Sequence, residues 1–150
     1  WDSAYADSCL THAIYAYNFS KNHQATAGSP EGSFYVANSN WKDDYASMCT
    51  ELFYATGIAS YKTEALSYEN GIFNHNYCFQ YHDNEDIAAY NLATLGSTAM
   101  ASLLNTFASN YKNHVDANGI YTGGDNTWGT LRYNGNSAFV VALNRFHFRE

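Results

Sequence analysis

The sequence predicts an all-α protein built as an array of helical hairpins. Three observations predict it: six segments carry apolar residues at helical spacing, no stretch alternates like a strand, and the connections alternate long and short. Short turns follow the second and fourth segments, and long loops precede the second, fourth and sixth, as in stacked hairpins. We therefore expect the long loops to gather at one end of the array, where loops on a rigid scaffold carry function.

The first two predicted helices have the clearest end signals. The first runs from about Ser3 to Lys21, with Ser3 as its cap. The second runs from Lys42 to Thr56, between Asn40 as N-cap and Gly57 as the residue that ends it. Their predicted inner stripes are Ala6, Cys9, Leu10, Ala13 and Tyr17 in the first helix, and Tyr45, Met48, Cys49, Leu52 and Phe53 in the second.

Four further helices complete the array. The third spans Tyr61 to Asn70 and stops at Gly71, and the fourth spans about Asp83 to Leu95. Ser97 or Thr98 caps the fifth. The apolar residues of the last three helices are Ile87, Ala88, Leu92 and Leu95 in the fourth, Met100, Leu103, Leu104, Phe107 and Tyr111 in the fifth, and Phe139, Ala142, Leu143 and Phe146 in the sixth.

Composition narrows the function classes. The 150 residues suit one domain, and 46% hydrophobic against 14% charged residues indicates a folded chain. Among the aromatic residues are 14 tyrosines, most of which we expect in the core, although tyrosine also suits half-wet sugar clefts. A net charge of −7 without Lys/Arg clusters argues against nucleic-acid binding. The longest apolar run, of about five residues, is too short for a membrane span.

The cysteines and histidines give no zinc signature. Cys9, Cys49 and Cys78 lack C-x-x-C spacing, and the six histidines form no H-x-H or H-x-x-x-H pair. Cys9 and Cys49 fall on apolar helix faces, which predicts buried thiols. One disulfide among the three cysteines stays open.

Two aspartates open the second helix. Asp43 and Asp44 lie in its first turn, where the helix dipole favours negative charge, so a solvated acidic helix start accounts for them. Ser39 and Asn40 add backbone and side-chain oxygens beside the carboxylates, and that oxygen set is the one calcium prefers. Both interpretations stay open on the residues alone.

Two blocks of the sequence form long motifs. The first comprises Phe34 and Tyr35, followed by WKDD at 41–44 and ELFYATG at 51–57. It resembles the F-Y…Y-x-D-E-L…W-L-Y-x-A-T-G block of glycoside hydrolase family nine, the inverting cellulases. WGTLRY at 128–133 and AF at 138–139 resemble W-G-x-L-R-Y…A-F. Between them, HDN at 82–84 falls where the family has W-D-D or W-D-N. The blocks keep the family's order along nearly all of the chain.

The resemblance implies a fold and a reaction. The family fold is an (α/α)6 barrel of twelve helices, so six helices would form a middle-to-late section of one catalytic domain. The reaction uses an Asp from a D-A-G-D motif and a Glu from a later motif, and neither motif is matched here. The chain, which begins at Trp1 rather than Met, is therefore expected to be a fragment with no catalytic carboxylate of its own.

An alternative match assigns a catalytic acid. YHDNE at 81–85 with YN at 90–91 also resembles the family's Y-x-D-N-E…Y-N motif, in which Glu85 would be the acid. In the family that motif follows W-G-x-L-R-Y, whereas here it precedes it. The order of the motifs disfavours Glu85.

Sugar-binding and metal-binding residues carry over by position. The resemblance implies that Phe34, Tyr35, Trp128 and Arg132 contact the sugar chain, and His82 joins them in place of the family's tryptophan. It also implies a structural calcium ion, with no cofactor for the chemistry. The implied ligands are Ser39, Asn40, Asp43, Asp44 and Asp83. Two departures weaken the match, since Asn38 replaces a stacking Trp and Asp44 replaces a Glu.

The function expected from the sequence is hydrolysis of β-1,4-glucosidic bonds in cellulose or related β-glucans by an inverting, secreted enzyme. This chain would supply part of the cleft wall and the metal site, with the remainder of its own catalytic domain as partner. The alternative is a non-catalytic helical carbohydrate-binding or interaction module. A purely structural helical repeat is a third interpretation, and it predicts no sugar contact at Trp128.

Overall fold

The computed structural model describes residues 2–24, 40–72, 84–113 and 130–148, and every regular element in these ranges is helical. The helices are α1 (Ser3–Asn22), α2 (Lys42–Thr56), α3 (Ala59–Ser67), α4 (Glu85–Thr94), α5 (Thr98–Asn113) and α6 (Thr130–Phe148), with a 3-10 turn at Glu69–Gly71 after α3. This confirms the all-α prediction. None of the helices in the described ranges is both long and apolar enough to cross a membrane.

The helices pack as an array in which α2 and α4 each contact the next helix in sequence and the one after it. Helix α2 packs against α3 and α4, and α4 packs against α5 and α6. The N-terminal ends of α2 and α4 meet where the Asn84 N–H donates to Asp43 Oδ2 at 2.9 Å. Their C-terminal ends meet where the Tyr54 hydroxyl donates to Thr94 Oγ1 at 2.6 Å. The two helices are therefore parallel, and the long segments that precede them enter at the same end of the array.

The core lies between these helices and combines small side chains with larger aliphatic and aromatic ones. Ala46, Ala88 and Ala89 are fully buried, which lets the helix backbones approach closely. Leu92 and Leu104 fill the space beside them, also fully buried. Further buried residues of the core are Cys49, Leu52, Ala65, Met100, Phe107, Tyr111 and Val140. The buried residues include Tyr45, Cys49 and Leu52 of the predicted α2 stripe and all of the predicted α5 stripe except Leu103.

The caps agree with the sequence in some places and correct it in others. Gly57 has φ 71° and its N–H donates to the Phe53 carbonyl at 2.8 Å, as predicted for the residue that ends α2. Ser97 Oγ accepts the Met100 N–H at 3.2 Å and caps α5. At α1, however, the cap is Asp2 rather than Ser3, because its carboxylate accepts the Tyr5 N–H. At α2 the residue in the capping position is Trp41 rather than Asn40. The Asn40 side chain, one residue earlier, accepts the Lys42 N–H through its Oδ1.

The apolar residues noted for the sixth helix do not mark its buried face. On α6 the buried residues are Ser137, Val140 and Asn144, whereas Phe139 and Phe146 are 52% and 87% exposed. The reason is a polar contact between helices, since the Asn144 amide donates to Asn105 Oδ1 at 2.8 Å and sets the face of α6 that meets α5.

Smaller corrections concern single residues and one boundary. Cys9 is exposed, and Ile87 is 37% exposed at the edge of α4. Helix α3 begins at Ala59 and ends at Ser67, because the Tyr68 N–H bonds to the Ala65 carbonyl and tightens the chain into the 3-10 turn.

Cys49 and Cys9 are both free thiols, so neither of them is in a disulfide. Burial raises the pKa of the Cys49 thiol to about 12, with the nearby Glu64 charge adding to the shift. A thiol with so high a pKa stays protonated and behaves as a small apolar side chain. The prediction of a buried thiol holds for Cys49 only.

A carboxylate joins α1, α2 and α3 in a polar cluster at the edge of the core. Glu64 Oε2 accepts hydrogen bonds from the Tyr17 hydroxyl at 2.5 Å and from Lys21 Nζ at 3.1 Å. Its Oε1 accepts from the Tyr45 hydroxyl at 2.8 Å. Burial by itself would raise the pKa of Glu64, but the hydrogen bonds from Tyr17, Tyr45 and Lys21 outweigh it and lower the pKa below its ordinary value.

This lowered pKa predicts a loss of stability in acid. The unfolded chain takes up a proton on Glu64 at a higher pH than the folded chain does, so this part of the stability is complete above the ordinary pKa of 4.5 and falls as the pH drops through the lower, folded pKa. We expect the Tm to decrease in that window, and Glu64→Gln to flatten the decrease. An equally steep acid limb in Glu64→Gln would contradict the assignment.

Candidate functional site

The candidate site lies at the shared N-terminal end of α2 and α4. Segment 25–39 leads into α2, and segment 73–83 leads into α4. Both segments carry predicted site residues. Helix N-termini present unpaired N–H groups and the positive end of the helix dipole, so acidic side chains are stabilised there. The first turns of α2 and α4 each carry two such side chains, namely Asp43 and Asp44, and Glu85 and Asp86.

Asp43 is the most constrained carboxylate of the site. It is fully buried, and its Oδ2 accepts the Asn84 N–H. Its Oδ1 accepts no hydrogen bond from any described residue. Burial raises the pKa of Asp43 above its ordinary value, and the Asn84 hydrogen bond opposes that shift. A buried carboxylate oxygen without a donor costs free energy unless a proton or a cation satisfies it.

Asn84 connects both aspartates to α4. Its backbone N–H binds Asp43, and its side-chain amide donates to Asp44 Oδ1 at 2.8 Å. Asp44 is exposed, in contrast to its buried neighbour. The sequence pattern alone did not single out Asn84 for this bridging role, because the pairing joins residues about forty positions apart.

Asn40 links the segment before α2 to the opposite wall of the site. Its amide nitrogen donates to the Gly71 carbonyl at 3.0 Å and to Glu85 Oε1 at 2.9 Å. Its Oδ1 accepts the Lys42 N–H at 3.2 Å. The side-chain oxygen therefore supports the start of α2. Glu85, the alternative candidate for a catalytic acid, is 7% exposed and bound by Asn40.

The predicted metal ligands are brought together in part. Asn40, Asp43 and Asp44 lie at one helix start, while Ser39 and Asp83 lie outside the described residues. Within the described ranges there is no group of three or more His, Cys, Asp or Glu side chains arranged for a metal ion. The buried Asp43 Oδ1 and the adjacent Asp44 carboxylate nevertheless have the chemistry of hard oxygen ligands, so this pair fits a calcium ion.

Of the predicted sugar-binding residues, one lies within the described residues. Arg132 lies in the first turn of α6, the helix that packs against α4 and α5. Phe34, Tyr35, His82 and Trp128 lie outside the described residues.

Sequence reasoning gave Trp41 no role beyond its place in the motif. In the structure its ring makes edge-to-face contacts with Tyr45 at 5.9 Å and Tyr68 at 5.6 Å between centroids. The density of aromatic residues around position 40 was the available signal.

One comparison with known proteins gives a match. The sequence model of glycosyl hydrolase family 9 matches residues 1–147 of the chain. No curated protein and no solved structure matches the chain. The matched range contains helices α1 to α5 and all of α6 except Phe148, and so includes the acidic start of α2 and Arg132.

Proposed function

Since this chain belongs to glycosyl hydrolase family 9, we propose that it forms part of a catalytic domain that cleaves β-1,4-glucosidic bonds in cellulose or related β-glucans by inversion. Family membership makes it a glycoside hydrolase component with a carbohydrate substrate. Its helical hairpins are consistent with a section of an (α/α)6 barrel. The observation that carries the proposal is the junction of α2 and α4 through Asn84, because it places side by side the two helix starts that follow segments 25–39 and 73–83.

The proposed role of this chain is to hold the sugar chain. A pyranose ring has an apolar face that an aromatic ring covers, worth about 25 cal/mol per Å² buried. Phe34, Tyr35, His82 and Trp128 are proposed to make such contacts. The Arg132 guanidinium offers several donors in a fixed geometry to the sugar hydroxyls.

The two reacting carboxylates are proposed to come from elsewhere in the catalytic domain. In an inverting reaction they flank the bond at roughly 6.5–9.5 Å from each other, so that one protonates the leaving oxygen while the other activates a water molecule. The described surface supports a partial domain, because large apolar side chains are open to solvent. Tyr5 and Tyr15 on α1 are 66% and 72% exposed, and Tyr54 and Ile58 are 54% and 50% exposed.

A structural calcium ion at the start of α2 belongs to the same proposal. Asp43 Oδ1 and Asp44 would hold it, together with oxygens of Ser39, Asn40 and Asp83. The unsatisfied, buried Asp43 oxygen supports this set, since a divalent cation would compensate its charge. Bound calcium would fix the start of α2 and the segments that flank it. We further propose that the enzyme is secreted, because its polymeric substrate lies outside the cell.

Calcium is expected to raise the Tm of the wild-type chain. A ligand that binds only the folded state stabilises it by about 2.7 kcal/mol at a hundredfold excess over its Kd. Asp43→Asn removes the charge from the buried oxygen pair and should abolish most of the shift, whereas Asp7→Asn, exposed on α1, should keep it. Thermal unfolding with calcium, magnesium or chelator measures this. An equal calcium shift in Asp43→Asn, or no shift in the wild type, would reject the site.

Release of reducing ends from a soluble β-1,4-glucan by the native polypeptide that contains this chain tests the function. Arg132→Lys should lower kcat/KM by about 10- to 100-fold, because a charged hydrogen bond is worth about 1.5–3 kcal/mol and lysine lacks the fork of donors. Arg145→Lys, an exposed arginine on the same helix, is the matched control and should match the wild type.

The non-catalytic alternative gives a different result in the same assay. Glucan would bind to the wild-type polypeptide, with Arg132→Lys weakening that binding, but no reducing ends would be released. If the polypeptide neither bound glucan nor released reducing ends, that result would contradict both functions and favour a structural helical repeat.

A further inference from the structure

A small pocket lies between the C-terminal end of α1 and the N-terminal end of α2. Its volume is about 180 Å³, and its walls include Ser20, His23, Gln24, Trp41, Asp44 and Met48. We infer that this pocket, here called the α1–α2 pocket, binds one neutral hexose unit of the glucan and extends the cleft beyond the residues assigned above. The inference rests on the proposed function and adds a sugar subsite to it.

The apolar side of the pocket is aromatic and held in place. The edge-to-face contacts with Tyr45 and Tyr68 orient the Trp41 indole, and Met48 lies beside it, half-buried. Aromatic rings fixed in this way lose little conformational entropy when a ligand covers them. A sugar ring, with apolar C–H groups on its face, suits such a surface.

The polar side of the pocket presents mostly acceptors. His23 Nδ1 lies 2.8 Å from the Phe19 carbonyl, which assigns the proton of the neutral ring to Nδ1 and leaves Nε2 as an acceptor. Gln24 donates its amide to the Tyr68 hydroxyl at 2.9 Å, so its carbonyl oxygen can accept. The Trp41 indole N–H, which binds no described acceptor, adds a donor.

This mixture selects the chemical class of ligand. Sugar hydroxyls both donate and accept hydrogen bonds, so they can use the two acceptors and the indole donor together. The volume matches a single hexose rather than a longer oligosaccharide, so the pocket would hold one unit of the glucan.

The position of the pocket connects it to the proposed cleft. Segment 25–39, which contains Phe34 and Tyr35, begins directly after Gln24 and ends directly before Asn40. Gln24 and Trp41, at or beside the two ends of this segment, are both walls of the pocket. The pocket is therefore formed in part by the described residues that border the segment carrying Phe34 and Tyr35.

Filling the pocket tests the inference. Ser20→Trp places an indole into the pocket, and Ser8→Trp, exposed on the same helix, is the matched control. We measure kcat/KM of the native polypeptide on cello-oligosaccharides of increasing length. Ser20→Trp should lose about tenfold on the longest substrates and nothing on the shortest, while Ser8→Trp should match the wild type. Equal values for Ser20→Trp and wild type at every length would overturn the subsite.

A binding measurement separates the pocket from the catalytic proposal. The indole N–H resonance of Trp41, identified by its loss in Trp41→Phe, should shift when cello-oligosaccharide is added to the wild-type polypeptide. This readout needs neither hydrolysis nor a folded Ser20→Trp variant. Hydrolysis without a shift at Trp41 would reject the pocket alone. A shift at Trp41 without hydrolysis would support the pocket and reject the catalytic proposal.

Discussion

Replacing Glu64 by glutamine is expected to lower the free energy of unfolding by about 2 kcal/mol, because it removes the charge from a partly buried carboxylate that accepts three hydrogen bonds. The Glu64 side chain is only 18% exposed and receives two tyrosine hydroxyls from two other helices. Lys21 contributes less, since its own side chain is 50% exposed and solvent screens the pair. Chemical denaturation of the chain measures the loss.

The control and the test of mechanism use neighbouring residues. Glu51→Gln, an exposed glutamate on α2, should change stability by no more than about 0.5 kcal/mol. A double-mutant cycle between Glu64→Gln and Tyr45→Phe should show an interaction energy of roughly 1 kcal/mol or more, since the two side chains share one hydrogen bond. Additive effects, or equal losses in Glu64→Gln and Glu51→Gln, would show that the cluster does not hold α1 to α2 and α3.

Truncating Trp128 is expected to give the largest loss of substrate binding. If a pyranose face covers about 100 Å² of the indole, Trp128→Ala removes about 2.5 kcal/mol, which corresponds to a roughly 60-fold higher Kd for the glucan. Trp128→Phe keeps part of the aromatic surface and should lose less. Calorimetric titration of the native polypeptide with a cello-oligosaccharide measures both variants.

An exposed ring away from the site provides the control. His12 on α1 is exposed, and His12→Ala should bind the glucan as the wild type does. If Trp128→Ala also binds like the wild type, then Trp128 is not a sugar-stacking residue, and its place in the family motif would reflect packing. Equal weakening by His12→Ala would point instead to a general loss of structure.

Local signals in the sequence predicted most of the helices, because the apolar spacing and the end residues that define a helix lie within a few residues of one another. Helix α2 was predicted with its observed ends, since its apolar spacing is regular and Gly57 supplies the left-handed backbone that ends it. Helix α6 was found, but its buried face was not. Its inward side carries Asn144 and Ser137, and a hydrophobic pattern cannot identify a face that packs through an amide pair.

Local sequence signals and the family motifs predicted which residues belong to the site, but they did not predict how those residues are arranged. The motifs identified Asp43 and Asp44, but the contrast between a buried Asp43 and an exposed Asp44 depends on how α4 packs against α2. The Glu64 cluster was missed for the same reason, since Tyr17 is 47 positions away from Glu64 in sequence. Pairings of this kind come from tertiary structure, which periodicity and capping rules do not describe.

The stereochemistry of the first product tests the central claim most directly. The native polypeptide would be mixed with a short cello-oligosaccharide, and proton NMR would follow the anomeric signals before mutarotation equilibrates them. A single displacement by water inverts the β-linkage, so we predict that the α-anomer appears first. A β-anomer as the first product would require a covalent intermediate and would contradict the inverting β-1,4-glucanase activity proposed for the domain that contains this chain.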